Sequence, residues 1–117
     1  MSFNYSINLQ DNSAVVSLSG RLLTDGDTQH MSEGIAHLLN DSVTLIVMDL
    51  TQLEHCNSSG LGFIIRTLTR ARINQAEFVI SGVNGSVAKL FEISKIDNII
   101  SMYNNQEEAL LHFTKNK

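Results

Sequence analysis

Thr44-Leu45-Ile46-Val47-Met48-Asp49-Leu50 is the most continuous apolar run in the chain's centre. An alternating pattern marks a strand with one face in water, whereas an almost unbroken run marks a strand covered on both faces, as in a parallel sheet. This segment therefore predicts an internal strand with helices packed above and below it. Phe78-Val79-Ile80 is a second, shorter run of the same kind.

Working outward, Phe3, Tyr5, Ile7 and Leu9 alternate with polar residues, the period-2 sign of a half-buried strand. Asp11-Asn12-Ser13 supplies turn chemistry, and Ala14 to Ser19 carries Val15, Val16 and Leu18, so a hairpin closed off by Gly20 is expected. Met31, Ile35, Leu38 and Leu39 fall on one helical face, with Thr24, Asp25 and Asp27 as cap candidates and a stop near Asn40-Asp41. Leu61, Ile64, Ile65, Leu68 and Ala71 mark a second helix, and Val87, Leu90 and Phe91 a third, opened by Asn84 or Ser86. Ile99, Ile100, Met102 and Tyr103 read as a last strand, and Glu107 to Lys115 as a closing helix with Ala109, Leu110 and Phe113 inward. The order β-β-α-β-α-β-α-β-α predicts a single α/β domain over residues 1–117. Its mixed, mostly parallel sheet is flanked by about four helices, antiparallel only at the hairpin edge.

Composition narrows the function classes. With 43% hydrophobic and 17% charged residues the chain is globular rather than disordered. A net charge of −4 disfavours nucleic acid and anionic membrane surfaces as partners. No apolar run approaches the roughly 20 residues of a membrane span, and Met1 to Ser6 lacks the marks of a signal peptide. With one cysteine, Cys56, no internal disulfide forms, and a cytoplasmic location is expected.

In open α/β sheets, function gathers at the carboxyl ends of the strands. There the chain reads His55-Cys56-Asn57-Ser58-Ser59-Gly60-Leu61-Gly62. Asn57 or Ser58 suits a helix N-cap. Gly60 and Gly62 in the first turn each cost up to about 1 kcal/mol relative to alanine, so either another backbone approaches closely or a partner does. Asn-Ser-Ser-Gly also reads as a mere cap followed by close packing. Functionally, a serine hydroxyl at a helix N-terminus suits phosphorylation, because a phosphate there meets exposed N–H groups and the positive end of the helix dipole.

At these residues the chain resembles the STAS-domain anti-sigma factor antagonists of bacteria. That family is marked by Asp-Ser-(Ser/Thr/Ala)-Gly-Leu after a buried strand. The motif here is Asn57-Ser58-Ser59-Gly60-Leu61, continuing Gly62-Phe63-Ile64-Ile65. Leu18-Ser19-Gly20-Arg21-Leu22 and Val87-Ala88-Lys89-Leu90-Phe91 extend the similarity over nearly the whole chain. The resemblance implies partner switching. The unmodified domain binds an anti-sigma factor that is also a serine kinase, is released by phosphorylation at Ser58, and is reset by a PP2C-type phosphatase. Asn57, Ser58, Ser59, Gly60, Leu61 and Gly62 would form the partner surface. Asn57 departs from the family's aspartate, which removes a negative charge beside the acceptor.

Other residues offer less. Cys56 reads as a part-buried structural cysteine, with a reactive thiol as the alternative. His30, His37, His55 and His112 are scattered without a metal-binding spacing, so neither metal nor cofactor is expected. Arg66, Arg70 and Arg72 read as a solvated helix face or as a contact for an acidic partner. No Gly-x-Ser-x-Gly elbow, phosphate loop or dinucleotide fingerprint is present, which argues against an enzyme. Two alternatives stand beside the antagonist: an unphosphorylated scaffold in a transporter or signalling complex, and a small hydrolase using Ser58 with His55 or His30 as base.

Overall fold

A computed structural model describes residues 3–23 and 25–115, with the side chains of these apart from residues 25, 27 and 112–115. The cap candidates Thr24, Asp25 and Asp27, and the inward Phe113, lie outside the residues or side chains so described. Among the described residues the strands are β1 (Phe3–Gln10), β2 (Ser13–Leu22), β3 (Leu45–Cys56), β4 (Glu77–Ser81) and β5 (Met102–Tyr103). The helices are α1 (Asp25–Asn40), α2 (Ser58–Ile73), α3 (Gly85–Ser94) and α4 (Gln106–Lys115), with a 3-10 turn at Ile96–Asn98.

The sheet order is β1-β2-β3-β4-β5. β1 runs antiparallel to β2, and all later pairs are parallel. Each parallel pair needs a crossover, and a helix supplies it every time. The alternation within β2 and β3 sorts side chains between two layers. Val16, Leu18, Ile46, Met48 and Ile80 join Met31, Ile64, Leu68, Val87 and Phe91 in the larger core beneath α1, α2 and α3. Val15, Leu45, Val47 and Val79 face the other way and meet Ala109 and Leu110 of α4. The Thr44–Leu50 run is almost unbroken in its apolar character because residues 45–50 are all buried, on one layer or the other, with Asp49 the one polar residue among them.

Three expectations need correction. β3 does not end at Leu50 but continues to Cys56, paired with β2 as far as Leu22↔Cys56. The register shifts between Ser17 and Ser19 and again between Gly20 and Arg21, so β3 carries two extra residues there, as at a bulge. On α2, Ile65 points outward at 40% exposure, and Phe63 and Thr67 take the inner face with Ile64, Leu68 and Ala71. Ile99 and Ile100 are not in a strand. They follow the 3-10 turn, Ile99 exposed and Ile100 buried, and β5 is only the two residues that pair with Ile80 and Ser81.

Candidate functional site

The carboxyl ends of β2, β3 and β4 meet at one end of the sheet, and α2 starts there. Asn57 is the N-cap of α2, with extended backbone (φ −115°, ψ −168°). Its Oδ1 accepts a hydrogen bond from the Gly60 N–H at 3.1 Å, satisfying one of the donors that a helix start leaves unpaired. The same side chain has a second task. Its Nδ2 donates to the Leu23 carbonyl at 3.0 Å, while the Asn57 backbone N–H donates to the Leu22 carbonyl at 3.4 Å. The amide therefore ties the end of β2 to the start of α2.

An aspartate keeps only the first of these bonds. Capping preference treats the two residues as equals, but the Leu23 carbonyl separates them, because a carboxylate has no proton to give it. Asn57→Asp gains about 0.3–1 kcal/mol from the helix dipole. It loses a bond of about 1 kcal/mol and sets two acceptors against each other. A net loss of roughly 0.5–1 kcal/mol is expected, measured by urea denaturation of the two forms. Equal stability would show that the Leu23 bond contributes nothing.

Gly60 and Gly62 have different reasons to be glycine. A Cβ on Gly60 would lie 2.8 Å from the Leu22 carbonyl oxygen, 2.8 Å from Cys56 Sγ and 2.9 Å from Leu22 Cγ. Gly60 is buried, so of the six residues expected at the partner surface it supports the turn from below. Among the described residues a Cβ on Gly62 would meet only the Arg66 guanidinium, at 3.3 Å. No backbone among the described residues comes close enough to require a glycine at 62. Ser58 and Ser59 are exposed in the first turn, and Leu61 is half-buried against the core.

Neighbouring loops brace the turn. Asn84, expected as a cap for α3, occupies that position without a side-chain cap bond. Its Nδ2 donates instead to the carbonyls of Gly82 (2.8 Å) and Thr51 (3.3 Å), and Ser86 Oγ donates to the Glu54 carbonyl (3.0 Å). Asp49, buried, accepts from the hydroxyls of Ser81 (2.7 Å) and Thr51 (2.9 Å). Gly82, at φ +76°, lets β4 turn against this latch, since a Cβ there would fall 2.1 Å from Thr51 Oγ1. The ties between strand ends are not legible in the sequence, because they join groups 32 or 33 positions apart.

Burial pushes the Cys56 thiol up to about 11, so at neutral pH it stays a thiol and not a nucleophilic thiolate. His30, one of the bases considered for Ser58, is hydrogen-bonded to the Tyr5 hydroxyl. Arg66 and Arg70 line a cleft between α1 and α2, and Arg70 reaches Ser32 Oγ at 3.4 Å. Arg72 lies apart from them, its guanidinium on the Ile99 carbonyl (3.1 Å). Among the described residues no helix is long and apolar enough to cross a membrane.

Known proteins are similar to this chain in sequence and in fold. An anti-sigma-B factor antagonist of Listeria monocytogenes is 33% identical over 61 residues, 52% of this chain, and the match spans only about half (54%) of the Listeria protein's length. The protein of the same name from Staphylococcus aureus is 27% identical over 108 residues, covering 92% of this chain and 98% of its own. The structure of the Bacillus cell fate determinant SpoIIAA in the phosphorylated form superposes with a TM-score of 0.75 at 18% identity, over 94% of this chain and 99% of the other. The family model described as STAS domain matches residues 4–109, and the chain belongs to that family.

Proposed function

We propose that the protein is an anti-sigma factor antagonist regulated at Ser58. The observation that carries this reading is the placement of Ser58 at the exposed first position of α2, within the motif that resembles the family's acceptor sequence. Relatives named anti-sigma-B factor antagonists, and a related fold studied in a phosphorylated form, support it. In this reading the unmodified protein binds, in the cytoplasm, an anti-sigma factor with serine kinase activity through Asn57, Ser58, Ser59, Leu61 and Gly62, with Gly60 beneath. Transfer of phosphate to Ser58 ends the complex, and a PP2C-type phosphatase restores it. The protein performs no catalysis of its own. The first turn of α2 carries no acidic side chain to oppose a phosphate, and its N–H groups and dipole favour one.

Incubation with the cognate kinase and ATP is expected to add one phosphate. Mass spectrometry should place it on Ser58, retained in Ser59→Ala and absent in Ser58→Ala. A second reading, an unphosphorylated scaffold of a transporter or signalling complex, is favoured by Asn57, which is neutral where the family motif is acidic. No phosphate from a kinase shown to be active on another substrate would select that reading, and phosphate on Ser59 would overturn the assignment of the acceptor to Ser58.

A further inference from the structure

β1 lies at the sheet edge, hydrogen-bonded to β2 on one side, and its eight residues Phe-Asn-Tyr-Ser-Ile-Asn-Leu-Gln contain no charge, proline or glycine. Its pairing with β2 runs without a shift from Phe3↔Gly20 to Gln10↔Ser13. Soluble proteins blunt such edges with lysine, proline, bulges or brevity, because a free row of backbone donors and acceptors is a template for another strand. The opposite edge, β5, follows that rule with two residues. β1 uses none of these devices, although its length of roughly 27 Å is ample for pairing.

The side chains say which strand fits. Phe3, Tyr5 and Ile7 are half-buried toward the core under α1, and Leu9, next on that face, is 58% exposed. Asn4, Ser6 and Asn8 are exposed on the other face. A partner strand has to be uncharged, with apolar residues at alternate positions and an aromatic ring to cover Leu9. β1 itself meets all three conditions.

We propose that β1 pairs antiparallel with β1 of a second copy about a two-fold axis through Ser6, joining the two sheets into one of ten strands. Residues directly opposite each other share a face. In this register Phe3 faces Leu9 of the second copy, Tyr5 faces its Ile7, and Asn4 faces its Asn8. Every apolar residue then meets an apolar one in an aromatic–aliphatic pair, and Leu9 is covered. A one-residue slip sets Tyr5 against asparagine and reverses the faces. A two-residue slip centred on Tyr5 leaves Leu9 uncovered, and one centred on Ile7 leaves Phe3 unpaired. The interface is isologous and closes on itself, so it makes dimers and not fibres. It sends the two Ser58 turns to opposite ends of the joined sheet, so it neither depends on the function proposed above nor obstructs it.

Sedimentation velocity of the purified full chain tests this. A shift toward twice the monomer mass is expected as concentration rises to about 0.5 mM, with a dissociation constant on the order of 100 µM, as suits a small interface. Asn4→Lys with Asn8→Lys sets lysine opposite lysine at two points while altering only exposed side chains. It should weaken the dimer at least about tenfold with an unchanged Tm. In a Cys56→Ser background, Ser6→Cys should form a disulfide-linked dimer under mild oxidation and Asn4→Cys should not, since only residue 6 meets its own copy. A monomer at every concentration overturns the proposal, as does a dimer indifferent to the lysines. Equal cross-linking at residues 4 and 6 overturns the register.

Discussion

Gly60→Ala is expected to destabilise the protein by about 2–3 kcal/mol, while Gly62→Ala, two residues away in the same turn, stabilises it by up to about 1 kcal/mol. Both substitutions bring the same gain in helix propensity, so the difference between them measures packing alone. At Gly60 the added methyl would stand under 3.0 Å from a backbone carbonyl oxygen, a buried leucine carbon and a part-buried sulfur. The Leu22 carbonyl cannot yield without disturbing its own bond from the Asn57 N–H. The start of α2 must move instead, and overpacking of this kind outweighs the propensity gain. At Gly62 only a guanidinium nitrogen is near, at the far end of the long Arg66 side chain, which has to give by no more than a few tenths of an ångström. Thermal unfolding should show a fall in Tm of roughly 10 °C for Gly60→Ala and a small rise for Gly62→Ala. Shifts of the same sign in both would contradict the assignment of Gly60 to internal packing. They would also remove the inference that Gly62 answers to something outside the chain.

These two glycines show where sequence reasoning stops. Both stand in the first turn of a helix, and both are costly there. Only the neighbours in space separate them: the ends of β2 and β3 at Gly60, and the far end of one arginine side chain at Gly62. The fold itself was legible where periodicity is strong: the Thr44–Leu50 run announces a doubly covered strand, and Phe3 to Leu9 an edge with one apolar face. It was illegible in Thr51–Cys56, where Leu53 is the one fully buried residue, because that half of β3 is specified by pairing with β2 rather than by its own pattern. The Ile99-Ile100 pair misled for a related reason. Two adjacent isoleucines suit a strand, but Lys95 in the left-handed region (φ 60°) and the following 3-10 turn fix the backbone first. At the candidate site the cap was readable as a residue type at a helix start. Its second bond, to Leu23, was not, since 34 positions separate the partners in sequence.

Phosphorylation of Ser58 is expected to weaken binding of the kinase partner about a thousandfold while leaving the fold intact. Two opposing effects set the outcome. In the free protein the phosphate sits in water at the first position of a 16-residue helix whose first turn is free of acidic residues. There the dipole and the N–H groups stabilise it by about 0.3–1 kcal/mol, so the folded state does not suffer. In the proposed complex the same group would be pressed into an interface, beside a turn that Gly62 leaves bare for close approach. An anion stripped of water without a matching cation costs several kcal/mol, which outweighs the dipole term. About 4 kcal/mol corresponds to that thousandfold, enough to release a partner held at submicromolar strength. Ser58→Asp should accordingly stay folded, with an unchanged circular dichroism spectrum, and bind poorly. Ser58→Ala should bind as the unmodified protein does and resist release by ATP. A carboxylate carries less charge than phosphate and fewer acceptor oxygens, so authentic phosphoserine gives the stricter comparison. Calorimetric titration of the partner with phosphorylated and unmodified protein reads the effect directly. Equal affinities would mean that the interface either holds a cation for the phosphate or does not include Ser58, and in both cases the switch must lie elsewhere.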